Sequence, residues 1–91
     1  MIQNKDFISI CLKNLKELDP LDILIFQSFK KDRAIKVQKI SEQKFNVFEE
    51  GFFHKEFLDL SDKELKKTLK QLQKIEFPRS NQLWLKIVKN K

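Results

Sequence analysis

The apolar positions of residues 60–77, LSDKELKKTLKQLQKIEF, recur at the spacing of a helix. Ser61 and Glu64 form an S-x-x-E capping box at its start, and Leu60 and Leu65 hold the two positions of a hydrophobic staple. Phe77 stands before Pro78, and a residue before proline is driven out of the helical region, so the helix is expected to end there. At about 100° per residue, Leu65, Thr68, Leu69, Leu72 and Ile75 share one arc of roughly 120°. Lys63, Lys66, Lys67, Lys70 and Lys74 share another of roughly 100°, about opposite, and no acid interrupts them. Asp62 and Glu64 lie in the first turn, where carboxylates suit the helix dipole.

Upstream the pattern changes several times. Phe7, Cys11, Leu15 and Leu18 give helical spacing over about 6–18, with Asp6 as N-cap. Asp19-Pro20 with Asp22 reads as a second helix start. The segment LDILIFQSF (21–29) is apolar nearly all round, the mark of a helix buried in the middle of a fold. Residues 34–50 admit two readings. Ile35 and Val37 alternate with Lys36 and Gln38, and Phe45 and Val47 flank Asn46, as in a hairpin turning through Ser41-Glu42-Gln43. A helix would instead gather Val37, Ile40, Phe45, Phe48 and Phe52 in one stripe. Gly51, the only glycine, is assigned to a turn. FHKEFL (53–58) reads as a short helix with Phe53 and Phe57 one turn apart. Leu83, Leu85 and Ile87 alternate with Trp84, Lys86 and Val88, which predicts a strand. Residues 1–5 are expected to be a polar, frayed start, and 89–91 a polar, basic tail.

Composition narrows the function. The 91 residues make one small domain without repeat, linker or low-complexity tract, and nine Phe and one Trp supply large burial per residue. A net charge of +6 favours an anionic partner. The lone Cys11 cannot form an internal disulfide and has no metal-ligand spacing around it; it reads as a small core residue in a reducing, cytoplasmic compartment. The apolar run 7–12 is too short, and too interrupted by Ser9, for a signal core or membrane span, so no membrane association is expected. One histidine, His54, with no nucleophile spaced around it, and one glycine argue against an enzyme or a Gly-rich phosphate loop. No cofactor and no metal are expected. Glu49, Glu50, Glu56 and Asp59 read as solvated surface or a partner-docking patch. Trp84 is assigned to packing against the helices rather than to stacking on a base.

Residues 53–88, FFHKEFLDLSDKELKKTLKQLQKIEF followed by PRSNQLWLKIV, resemble the helix-turn-helix and wing of winged-helix DNA-binding domains. The positions carrying the likeness are Leu58, Leu60, Ser61, Leu65, Leu69, Leu72, Ile75 and Phe77. It extends over about 20–88, with 21–29 as the first core helix, and DPLDILIF is similar to the N-terminal winged helix of plasmid replication initiators. The resemblance implies an α+β fold of three to four helices with a β-hairpin wing, and residues 1–19 as an added N-terminal helix. It further implies that double-stranded DNA is held by Lys63, Lys66, Lys67, Lys70 and Lys74, with Arg79 and Lys86 as wing contacts, in a small transcriptional regulator or replication accessory. As in many winged-helix regulators, residues 6–18 would serve as a homodimer contact. No Asn, Gln or Arg lies on the first two turns of the lysine face, so base-specific readout is expected to be thin. The lysine row reads equally as a solvated face, with the chain a protein–protein interaction module working through its 49–59 acids or its first helix. The position of Lys31, Arg33, Arg79, Lys86 and Lys89 separates the two readings: gathered with the row they favour DNA, scattered they favour the module.

Overall fold

The computed structural model describes residues 1–90, so Lys91 of the basic tail lies outside the described residues. The elements are β1 (Ile2–Gln3), α1 (Phe7–Glu17), β2 (Ile23–Ser28), β3 (Ala34–Ser41), β4 (Lys44–Glu50), β5 (His54–Leu60), α2 (Asp62–Glu76) and β6 (Gln82–Val88). The strands form one antiparallel sheet in the order β1-β6-β2-β3-β4-β5. Both helices lie on one face of it. This overturns the winged-helix expectation, because two of the three helices which that fold would use are strands, and β6 is an inner strand rather than part of a wing. Neither helix is long and apolar enough to cross a membrane.

The largest correction is 21–29. Leu24, Phe26 and Ser28 of β2 point to the helices and are buried, while Ile23, Ile25 and Gln27 lie half-buried on the opposite face. An inner strand that is apolar on both faces has no alternation to show, so its run imitates a buried helix. Asp19-Pro20-Leu21-Asp22 is a tight turn into β2, with Leu21 at a φ of 74°. Asp22 is no N3 acid. Its buried carboxylate accepts from the N–H groups of Asp19 (3.0 Å) and Asn90 (2.9 Å) and from Lys89 Nζ (3.2 Å). The Asn90 N–H above all holds the carboxyl below its ordinary value.

Residues 34–50 are the hairpin of the two readings, β3 paired with β4. FHKEFL, in contrast, is the start of the edge strand β5. Phe57 faces the core opposite Val47 and Leu60 opposite Phe45, while a bulge with Asp59 at a φ of 59° leaves Leu58 exposed. Leu58-Asp59-Leu60-Ser61, read as the turn of a helix-turn-helix, is thus the kinked end of a strand that runs directly into α2.

The core lies between sheet and helices. Phe7 packs edge-on against Phe26 at 4.7 Å and Phe77 at 5.8 Å. Cys11, Leu15 and Leu18 are buried with it, and burial pushes the Cys11 thiol up to about 12. The apolar side of α1 is therefore occupied by the chain's own core, which removes it as the homodimer contact of 6–18. The Asp6 side chain makes no capping bond.

The start of the chain is fastened down rather than frayed. β1 pairs with β6, and Asn4 Nδ2 donates to the carbonyls of Phe77 and Ser80, both at 2.8 Å, while Gln73 Nε2 donates back to Asn4 at 2.8 and 3.0 Å. One side chain thus closes the C-terminal end of α2. Asn4→Ala is expected to cost about 1–3 kcal/mol by orphaning these groups, read in a thermal melt as roughly 4–8 °C for each kcal/mol.

Candidate nucleic-acid interface

The capping box of α2 forms as its sequence requires: the Ser61 N–H donates to Glu64 Oε1 at 2.9 Å, and the Glu64 N–H donates to Ser61 Oγ at 3.3 Å. Leu65, Thr68, Leu69 and Leu72 are buried against the sheet. Lys63, Lys66, Lys67, Lys70 and Lys74 are all exposed on the outer side. Among the described residues, no carboxylate lies within 4.0 Å of any of them; the ion pairs of the chain involve Lys36, Lys39, Lys44 and Lys89 instead. At 1.5 Å per residue the row from Lys63 to Lys74 is about 16 Å long. Lys16 of α1 and Lys66 line one cleft between the helices. Lys39, in the same cleft, is taken up inside: its Nζ donates to the Leu18 carbonyl at 2.8 Å and pairs with Glu42 at 3.4 Å.

The two wing residues part company. Arg79 is exposed in the loop after α2 and shares a shallow hollow with Lys30, Asp32 and Arg33. Lys86 stands opposite Ile25 in the sheet register, on the face away from the helices, and cannot touch what the row touches. Trp84 is on that face too. It stacks on Phe29 at 6.1 Å beneath Lys31, whose Nζ is 5.0 Å from its ring, and does not pack against the helices. Lys89 is held by Asp22. Of the five discriminating cations, only Arg33 and Arg79 lie at an end of α2; Lys31, Lys86 and Lys89 are scattered away from the row, which on this criterion favours the interaction module.

That end holds what the sequence reading missed. Glu76, not Ile75, completes the buried side of α2: Glu76 is 1% exposed and Ile75 38%. The Glu76 carboxylate accepts from the N–H groups of Phe52 (2.9 Å) and Phe53 (3.4 Å) in the β4–β5 turn. Gly51 is needed there for close approach rather than for φ, since a Cβ would run into the Glu76 carboxylate and meet the Arg33 Cβ at 3.0 Å. Glu49 is buried beside this turn, and neither of its oxygens has a hydrogen-bond partner among the described residues. Burial, then the neighbouring Glu76 carboxylate, pushes the Glu49 carboxyl up to about 7. Of the expected acidic patch, Glu49 is inside, Glu50 pairs with Lys36 and Asp59 with Lys44, while the exposed Glu56 lines one hollow with Glu49 and Glu50. The legible signal was Glu76 itself, about 20° from Leu65 and inside the apolar arc. No family model, curated protein or solved structure matches this chain.

Proposed function

We propose that this chain binds DNA through its phosphates, with Lys63, Lys66, Lys67, Lys70 and Lys74 of α2 as the contact surface. One observation carries the reading: five exposed ammonium groups follow one another for about 16 Å with no carboxylate paired to them among the described residues. A row of that length matches the axial rise of four to five base pairs at about 3.4 Å each. Each lysine that neutralises a phosphate releases condensed counterions, which is where such a surface draws its affinity. The contact needs neither a wing nor a recognition helix. With no Asn, Gln or Arg in the first two turns of the row, sequence preference is low. The rival interaction module keeps two observations in its favour, the scatter of Lys31, Lys86 and Lys89 and the exposure of Glu50, Glu56 and Asp59. Against it, the apolar side of α1 is buried and two of those acids are taken up by Lys36 and Lys44, whereas the lysine row is unpaired among the described residues. Such an activity suits a small regulator or a replication accessory.

Fluorescence anisotropy with a labelled blunt duplex tests this. The K66E/K67E/K70E variant alters only exposed side chains and is expected to bind at least tenfold more weakly than the parent while keeping its circular dichroism. Equal binding by the two proteins, or no binding by the parent, overturns the reading.

A further inference from the structure

Two phenylalanines are displayed at the C-terminal end of α2, in the turn held by Glu76 on the side of the helix away from the lysine row. Phe52 is 64% exposed and Phe53 41%. Their rings meet edge to face at 5.0 Å, and each has a cation over it: Arg33 Cζ at 5.5 Å from the Phe52 centroid and Lys55 Nζ at 4.8 Å from that of Phe53. The turn that carries them is held rigidly. Its N–H groups are bound by Glu76, its glycine is pressed against the same carboxylate, and Arg33 Nη1 reaches the Ile75 and Glu76 carbonyls at 3.4 and 3.5 Å. Two buried carboxyls side by side are a poor way to stabilise a fold, and local rules are broken in this manner where a site is being built. What the turn gains is two aromatic surfaces fixed beside the last turn of α2, about 160° round the helix from Lys74, so that a strand leaving the row reaches them by passing over the end of the helix.

We propose that this turn receives unpaired bases, so that the preferred ligand is a DNA duplex with a single-stranded extension: duplex phosphates along the row, and the first unpaired bases on Phe52 and Phe53. This rests on the proposed function and goes beyond it by naming the form of DNA. Every base has a π-face that stacks on an aromatic ring whatever its sequence, and cations beside the ring serve the phosphates that follow. Paired bases offer no such face except at a blunt end. The alternative for exposed phenylalanines among cations is an anionic lipid surface. It is disfavoured because Arg33 and Lys55 lie over the rings: a stacking base that takes their place leaves each cation in water beside a phosphate, whereas a ring entering hydrocarbon leaves its cation without the ring and without a phosphate of the same strand.

The experiment compares a labelled blunt duplex with the same duplex carrying a ten-thymidine extension, at 5′ or 3′ ends, for the parent, F52A/F53A and K66E/K67E/K70E. Binding of the parent is expected to be tenfold or more tighter to one extended duplex than to the blunt one. F52A/F53A loses that gain and keeps blunt-duplex affinity within about twofold. A 2-aminopurine placed first in the extension is expected to be quenched by the parent and not by F52A/F53A. Equal affinity of the parent for blunt and extended duplexes, or an unchanged gain in F52A/F53A, overturns the proposal while leaving the lysine row standing. Unaltered binding by K66E/K67E/K70E removes the row instead. Flotation of the parent, but not of F52A/F53A, with phosphatidylserine vesicles, together with an unquenched 2-aminopurine, assigns the turn to lipid and overturns it as well.

Discussion

Raising monovalent salt from about 50 to about 200 mM is expected to weaken blunt-duplex binding several hundredfold. The size follows from the row alone. Five lysines on five phosphates give a log–log slope of about −0.9 per contact, near −4.5 in total, and a fourfold change in salt then removes roughly 2.7 decades of affinity. Because the row has no carboxylate neighbours among the described residues, no internal ion pair has to break first, and the slope should stay straight over this range. A single Lys67→Gln change should lower it by about 0.9. Stacking on Phe52 and Phe53 involves no counterion, so F52A/F53A should shift the plot for an extended duplex downward and leave its slope nearly as it was. A slope shallower than about −2 would mean that fewer than three ammonium groups reach phosphates, and the lysine row would not be the binding surface.

What could be read from the chain depended on which face of each element met water. α2 was legible from end to end because its cap is written in side chains, its stop in a proline, and its two faces differ sharply in polarity. α1 was legible for the same reason, having one buried and one wet side. The hairpin of β3 and β4 was legible only as one of two readings, since Ile40 and Phe48 on its outer face also fit a helical stripe. β2 was not. The sheet has helices on one face only, yet Ile23 and Ile25 are apolar on the other, so the alternation that identifies a strand is erased at the centre of the sheet. β5 failed differently. As an edge strand it gives only Phe57 and Leu60 to the core, while the accidental four-residue spacing of Phe53 and Phe57 imitates a helical turn. Once those two strands are taken for helices, a winged helix is the natural assembly, and the error in fold is an error in two periods.

The site shows the same division. The five lysines were found because a helical wheel needs only local geometry. Arg33, Phe52, Phe53 and Glu49 were missed because they come together from three turns and strands that the wrong topology had separated. Glu76 was within reach. A glutamate inside an apolar arc must meet a donor or share a proton, and asking which partner it had would have pointed to a turn packed against the end of α2.

Glu49→Gln is expected to make the protein more stable above pH 7 and to flatten a decline in stability that the parent shows between about pH 4.5 and about 7. Glu49 stands opposite Lys55 in the register of β4 and β5, but no donor reaches its oxygens among the described residues, and its near neighbour is the carboxylate of Glu76. Burial and that neighbour raise its pKa above the ordinary 4.5, so across this interval the folded chain holds a proton that the unfolded chain releases. Stability is then full below the unfolded value and falls as pH rises through the folded one. The fall should be of order 2–3 kcal/mol, since an ionised Glu49 remains buried without a partner and repels the group that holds the Phe52–Phe53 turn. The lowered carboxyls of Asp22, Asp32 and Glu64 act in the opposite sense, withdrawing stability as pH drops through their depressed values. Together these opposite slopes place the optimum on the acid side of neutrality. Glutamine keeps the shape, carries no charge and can donate its amide to Glu76 at every pH. Urea melts of parent and variant from pH 4 to 9 measure this directly. Parent stability that is level or rising from pH 5 to 7, or an equally steep decline in Glu49→Gln, would show that Glu49 is not the group responsible. With the decline present, the two phenylalanines are carried on a turn whose hold weakens when Glu49 gives up its proton, and the advantage of an extended duplex over a blunt one should shrink over the same interval.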